Sequence, residues 1–329
     1  MEGDFATVIW HLLAGAALLF GVGLFPALFI LRILDPLADT FRKVMLIPAI
    51  SLLVTFGVAG WMVVLSGHFD LGLLLLLLIM ANCVAAAALW QKDIIRVRRL
   101  SQWELLEEHT DLVESEGVMT KEIEAKSLND ITTELEEDAE DRKKRSEELH
   151  SARSSWLPFA LAAAALLSLF PLLLFEYPNG VDWIGFSTLS HRLATTGDLT
   201  LPAISEGRWT YPPAFPAVSA MLESLLGMTS ASAIHLVGQL SLLALLWGIA
   251  GASDRWGASG PTLLALALAP ALFVKAHDSG YPTVASQLGL VVGLLVLIRP
   301  LGERKRGQDI VFAICVISTG AIHPTGALY

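Results

Sequence analysis

The chain has 329 residues, 54% of them hydrophobic, and a mean hydropathy of +0.60, a balance that excludes an ordinary soluble domain and fits a multi-pass membrane protein. The formal net charge of -10 points to no basic partner, because about half of the acids and bases fall between residues 91 and 155; nucleic acid is excluded as a partner. Cys83 and Cys315 both lie in apolar runs without a spaced partner, so each is expected to be a buried, inert thiol.

A hydrocarbon core of about 30 Å takes about 20 apolar helical residues. Residues 8–31, 44–65, 71–90, 156–175 and 231–252 meet that length without an internal acid or a lysine or arginine. Shorter candidates cover 261–274, 282–298 and 310–322. Backbone amides in lipid must be bonded within their own segment, and alternating strand patterns are absent, so the expected fold is an all-α transmembrane bundle.

The start, Met1-Glu2-Gly3-Asp4, is acidic and its apolar run is too long for a signal-peptide core, so the first span is retained with its N-terminus outside. Arg32, Arg42 and Lys43 flank the first connection, and Lys92, Arg96, Arg98 and Arg99 follow the third span. By the positive-inside rule both sets are cytoplasmic, which makes 91–155 cytoplasmic and places Gly67-His68-Phe69-Asp70 and the polar excursion 176–216 on the outer face of the cell membrane. The stretch 214–228 is short and contains Glu223. If it crosses, the basic run Glu303-Arg304-Lys305-Arg306 falls outside; if it is interfacial or re-entrant, that run falls inside, and the charge rule favours the latter.

Ser101 with Glu104 and Ser127 with Asp130 resemble capping boxes opening two cytoplasmic helices. Leu128, Ile131 and Leu135 form a narrow apolar stripe, and Asp138 with Arg142 and Glu140 with Lys144 are acid-before-base pairs one turn apart. A solvated helical linker is the first reading of 101–150, and a surface for a protein partner the second.

The outer excursion carries the polar chemistry. Asp182 opens a stretch in which Trp183, Phe186, Leu189 and Leu193 recur at helical spacing, with Gly197 as a stop. The predicted amphipathic helix rests its apolar face on the membrane, leaving His191 and Arg192 at headgroup level where a phosphate is met. Asp182 is then either an N-cap or a chemical acid. Arg208-Trp209-Thr210-Tyr211-Pro212-Pro213 leads back to the membrane through a rigid turn. Arg192, Arg208 and Lys275 supply cations for a phosphate, although Lys275 also fits a snorkelling helix end. His191, His277 and His323 are too scattered for a zinc site, and no metal or cofactor is assigned.

A span running outward, an early loop acid, a juxtamembrane helix and a Tyr-Pro-Pro turn before the next membrane helix resemble the GT-C membrane glycosyltransferases. The resemblance covers 156–329 and excludes the first three spans. It implies transfer of a sugar from a polyprenyl-phosphate donor at the outer face, with Asp182 matching the early loop acid that serves as base toward the acceptor or as a metal ligand. It further implies a second outer acid, for which Asp278 is the candidate. A paired motif such as Asp-x-Asp is absent. The substrate-binding set is then His191, Arg192, Arg208, Tyr211, Lys275, Asp278 and His323, with membrane lipids and a lipid-linked sugar donor as partners.

The expected organisation is an N-terminal three-helix unit (1–90), a cytoplasmic acidic helical segment (91–155) and a GT-C-like bundle (156–329). The apolar run at its end, without a polar tail, reads as a C-terminal truncation. The alternative is a non-enzymatic scaffold or transporter component, the latter disfavoured by spans that carry almost no ionisable residue.

Overall fold

A computed structural model describes residues 5–36, 38–91, 157–175, 177–199, 211–254, 258–267, 270–297 and 305–324. The capping boxes, the stripe and the charge pairs of the acidic segment, and Arg208, lie outside them. The described residues are helical throughout their regular structure. The helices are α1 (Phe5–Gly21), α2 (Leu24–Leu34), α3 (Thr40–Ser66), α4 (Leu71–Gln91), α5 (Leu157–Leu174), α6 (Asp182–Thr196) and α7 (Ala214–Leu226), followed by α8 (Ser230–Ser253), α9 (Ser259–Ala267), α10 (Pro270–His277), α11 (Tyr281–Ser286), α12 (Leu288–Leu297) and α13 (Arg306–Ile322). Among the described residues, α3, α4, α5 and α8 are long and apolar enough to cross a membrane, and the pair α1–α2, bent by 49°, adds a fifth. This is the all-α multi-pass architecture expected from the sequence.

The chain forms two compact units, 1–85 with 154–329, and 86–153. The first three spans therefore share one packing unit with the second half. The centre of that unit is α8, 89% buried over its most apolar window. Its small residues allow close approach, as membrane bundles need where no hydrophobic force separates helix from lipid. Gly248 faces Ala49 of α3 and Val291 of α12, Gly251 faces Met45 and Leu46, and the Tyr281 ring lies over Gly238. Helices α3 and α13 meet through Gly57 against Ser318 and Gly60 against Ala321, with Ala214 of α7 at the same point.

Helix ends follow the local chemistry. The Asp39 carboxylate accepts from Arg42 N at 2.8 Å to cap α3, and Thr229 caps α8 by accepting from Ser232 N at 3.2 Å. Gly67, Gly197 and Gly227 end α3, α6 and α7 in the left-handed conformation. The break between α1 and α2 frees backbone carbonyls, and side chains of neighbouring helices satisfy them. Ser51 Oγ donates to Phe20 O at 2.7 Å, and Asn82 donates to Val22 O while accepting from Phe25 N at 3.3 Å.

The contacts define two ends of the bundle. At one, the C-terminal ends of α3 and α13 lie side by side, and the α10–α11 turn joins them. At the other, Arg42 pairs with Asp35 and donates through Nε to Gly251 O at 3.1 Å, and Gln308 donates to Ile33 O at 3.1 Å. Arg42, counted as a flanking cation in the charge argument, is thus buried in an ion pair. The traverses between the two ends are α1–α2, α3, α4, α5, α8, α9–α10, α11–α12 and α13. Helix α7 is not among them: Tyr211 before it sits beside His323, and Glu223 near its finish bonds Ser230 at the start of α8. Both its ends are at the α3–α13 C-terminal end, as an interfacial or re-entrant path requires.

The outward faces are apolar. Leu73, Leu76, Ile79, Met80 and Val84 of α4, Phe159, Leu166 and Phe170 of α5, and Ile310, Ile314 and Ile317 of α13 are exposed, as lipid-facing residues are. Cys83 belongs to the exposed α4 surface, whereas Cys315 is buried; the expectation of a buried thiol is corrected for Cys83, because α4 packs on one face only.

Candidate functional site

Two short connections interlock at the α3–α13 C-terminal end. The first, 177–181, leads into α6, and the second, 278–280, joins α10 to α11. Ser279, fully buried, is the one non-glycine residue with a positive φ among the described residues, at 55°. Its hydroxyl donates to Asn179 O. Gly180 adopts φ 82°, and a Cβ there would lie 2.8 Å from the Asp278 backbone. Only glycine allows both that conformation and that approach. Outside the interlock, Phe175 meets the His277 ring edge-on at 6.3 Å, and Tyr177 stacks on Trp183 at 5.7 Å.

Helix α6 lies across this end of the bundle. Phe186, Leu189, Ser190 and Leu193 are its buried face, packed with α7 and α8. The apolar stripe predicted to rest on the membrane is instead covered by protein, because α7 runs alongside it. At its far end Gly197 O accepts from Phe69 N at 2.7 Å, and the His68 ring lies directly on Gly197.

Asp182 is the first residue of α6 and is exposed. Val181 occupies the N-cap without a side-chain bond, so the N-cap reading of Asp182 is corrected: its carboxylate belongs to the helix's first turn, where the dipole favours an anion. Tyr211 stands in the field of this carboxylate. Its ring is 5.1 Å from Phe186 and 6.0 Å from His323. Burial, with a smaller part from Asp182, pushes the Tyr211 pKa far above the ordinary phenol range, so the hydroxyl keeps its proton. His323, just past α13, has its pKa lowered by burial and then by the Lys275 charge. The Lys275 side chain lies over Gly280, where a Cβ would come within 2.3 Å of Cε.

The structure puts Tyr211 beside His323, Asp278 beside Gly180 and Lys275 beside Gly280, while Asp182 acts on Tyr211 and Lys275 on His323 through their charge. It does not bring His191 and Arg192 to these contacts. These are nine and ten residues along α6, about 15 Å from Asp182 for Arg192 at 1.5 Å per residue. His191 Nδ1 is 2.7 Å from Glu223 Oε1, and Ser230 Oγ donates to Oε2 of the same carboxylate at 2.6 Å. Arg192 pairs with Asp198 at 3.1 Å. Among the described residues no group of three or more His, Cys, Asp or Glu side chains is arranged to hold a metal ion.

The sequence reading missed several polar residues. Glu223 entered it only as an obstacle to crossing, yet it joins α6, α7 and α8. Ser279 carried no motif at all. His11 and His235 lie inside apolar spans, against the expectation that the spans carry almost no ionisable group, and with Ser232 they line one cavity. His235 is buried at 3% exposure and stacks on Tyr281 at 6.2 Å. Their position within hydrophobic runs was itself a legible signal. No protein-family model, curated protein or solved structure matches the chain, so the arrangement of these side chains carries the functional reading.

Proposed function

We propose that the protein transfers a sugar from a polyprenyl-phosphate donor to an acceptor hydroxyl at the α6 end of the bundle, which in this reading is the outer membrane face. The observation that carries it is an exposed acid, Asp182, whose charge acts on the protonated phenol Tyr211, with His323 beside that phenol and in turn under the charge of Lys275, all at one end of the apolar helices. Asp182 takes the proton of the acceptor hydroxyl, whose oxygen attacks the anomeric carbon. The bond from that carbon to the phosphate oxygen breaks, and its electron pair leaves with the phosphate. Lys275 and the Tyr211 hydroxyl meet the charge that develops there. Asp278 orients the acceptor. The phosphate contact is Lys275 rather than Arg192, which stands about 15 Å along α6.

The test is sugar transfer by the full chain in nanodiscs, given a radiolabelled polyprenyl-phosphate sugar. Asp182→Asn is expected to lower the rate by about 100-fold or more while donor binding persists. Full transfer by that variant ends the proposal. The buried His235, with Gln239 Oε1 enclosed and lacking a hydrogen-bond partner, favours a second reading, a transport component. Substrate that crosses the bilayer without forming a new glycosidic bond selects it.

A further inference from the structure

Helices α1 and α8 both start at the α6 end of the bundle, and they touch where a Cβ on Gly15 would strike the Leu236 side chain. One helical turn nearer that end, His11 of α1 and Ser232 of α8 stand above this contact. Between them lies a cavity lined by His11, Ser232, His235 and Met228, with Leu12 and Leu172 among its apolar walls. His11 is six residues into α1 and His235 five into α8, which sets the cavity roughly 8 Å below the helix starts. Its free space is that of about one water molecule or one metal ion, too little for a sugar or an acyl chain.

The nitrogens that meet here lack protein partners. His11 Nδ1 is enclosed without a hydrogen bond. His235, 3% exposed, is held by its stack on Tyr281 at 6.2 Å, and among the described residues no hydrogen bond reaches its ring. Buried imidazoles without partners inside apolar helices call for a water or an ion. Met228, itself buried, closes the cavity from the α7–α8 connection with a thioether. The donor set decides the occupant. A thioether accepts a hydrogen bond from water only weakly, whereas two imidazoles with a thioether suit copper(I). Neither a carboxylate nor a thiolate lines the cavity, so nothing there neutralises an ion's charge. A doubly charged ion then carries about four times the Born cost of a singly charged one.

We infer that this cavity is a copper(I) site, with His11, His235 and Met228 as ligands, and that the ion joins α1, α8 and the α7–α8 connection. Its third ligand is a thioether, so it needs no group of three His, Cys, Asp or Glu side chains. The site is independent of the proposed sugar transfer.

The probe is copper(I) itself, titrated into the full-length protein in detergent under anaerobic reducing conditions against the chelator bicinchoninate. The protein carries C83A, which removes the exposed thiol. A single equivalent is expected to be retained, with nitrogen and sulfur neighbours in X-ray absorption. H11Q and H235Q are each expected to weaken binding by more than about 100-fold, beyond the loss of about 10–100-fold that follows removal of a supporting group. M228L, close to methionine in volume, is expected to weaken it by about tenfold or more and to remove the sulfur neighbour. That variant keeps the test decisive should a histidine variant fail to fold. H68Q is expected to bind as its parent does, and zinc(II) not to compete. A parent protein that retains no copper(I) overturns the inference. So does equal retention by the parent, H235Q and M228L, or a site that prefers zinc(II).

Discussion

Gly180 sets how closely the loop before Asp182 approaches the turn that carries Asp278. Its φ of 82° costs any other residue about 1–2 kcal/mol. A Cβ there also meets Asp278 backbone atoms from 2.8 Å, which cannot swing aside as a side chain does. Gly180→Ala is therefore expected to lower the thermal midpoint and to cost more sugar transfer than Gly197→Ala. At Gly197 the obstructing group is the His68 ring, the end of a mobile side chain. Equal loss of transfer in the two variants counts against the interlock as a positioning device. His323 gives this end a pH dependence with a definite sign. Burial and Lys275 lower its folded pKa, so below the ordinary value of about 6.5 the unfolded chain takes up a proton that the folded chain resists. Stability contributed here is present near neutrality and is lost as pH falls through about 6.5. The thermal midpoint is expected to fall between pH 7.5 and 5.5, and the fall to be smaller in His323→Gln; an unchanged slope in that variant assigns the effect to other groups.

Among the elements, the bent pair α1–α2 shows how a break within apolar helix survives. Chain reversal is not needed at 49°, but the i to i+4 ladder is interrupted, and in an apolar setting each freed carbonyl needs a donor. Asn82 of α4 and Ser51 of α3 provide it at Val22, Leu19 and Phe20. Asn82→Leu is expected to lower stability by about 1–3 kcal/mol, the cost of a buried group left unbonded, read as a reduced denaturation midpoint in detergent. An unchanged midpoint would mean that the break is held without Asn82. The single run 8–31 read from the sequence gives no sign of this, since Gly21 and Gly23 are equally at home in a straight membrane helix. Helix α6 was legible, by contrast: Asp182, Phe186, Leu189, Leu193 and Gly197 stand in the expected periodic order. What covers its apolar face was not, because periodicity says that a face is buried and not whether lipid or α7 buries it. The same limit hid the pairing of His191 with Glu223, separated by 32 residues, and the bond from Ser279 to Asn179, separated by 100.

At the scale of the whole molecule, the path of α7 decides the sidedness of everything after it. Between α6 and the start of α13 the chain makes the traverses α8, α9–α10 and α11–α12, an odd number, so Thr195 and Lys305 lie at opposite ends of the bundle. Were α7 a further traverse, the number would be even and the two residues would share an end. Lys43, Lys305 and Arg306 are exposed together at the end away from α6, the end that the charge-based expectation from the sequence assigns to the cytoplasm. The packing fixes only which residues share an end; which compartment each end faces is left to experiment. The measurement is labelling by a membrane-impermeant thiol reagent in a background with Cys83 and Cys315 replaced by alanine. His68→Cys and Thr195→Cys, on the α3–α4 loop and α6, are expected to react from the same side, and Lys305→Cys only from the opposite side. Reaction of the Thr195 and Lys305 variants from one side would require α7 to cross. It would then leave the basic corner and the Asp182 region facing the same compartment.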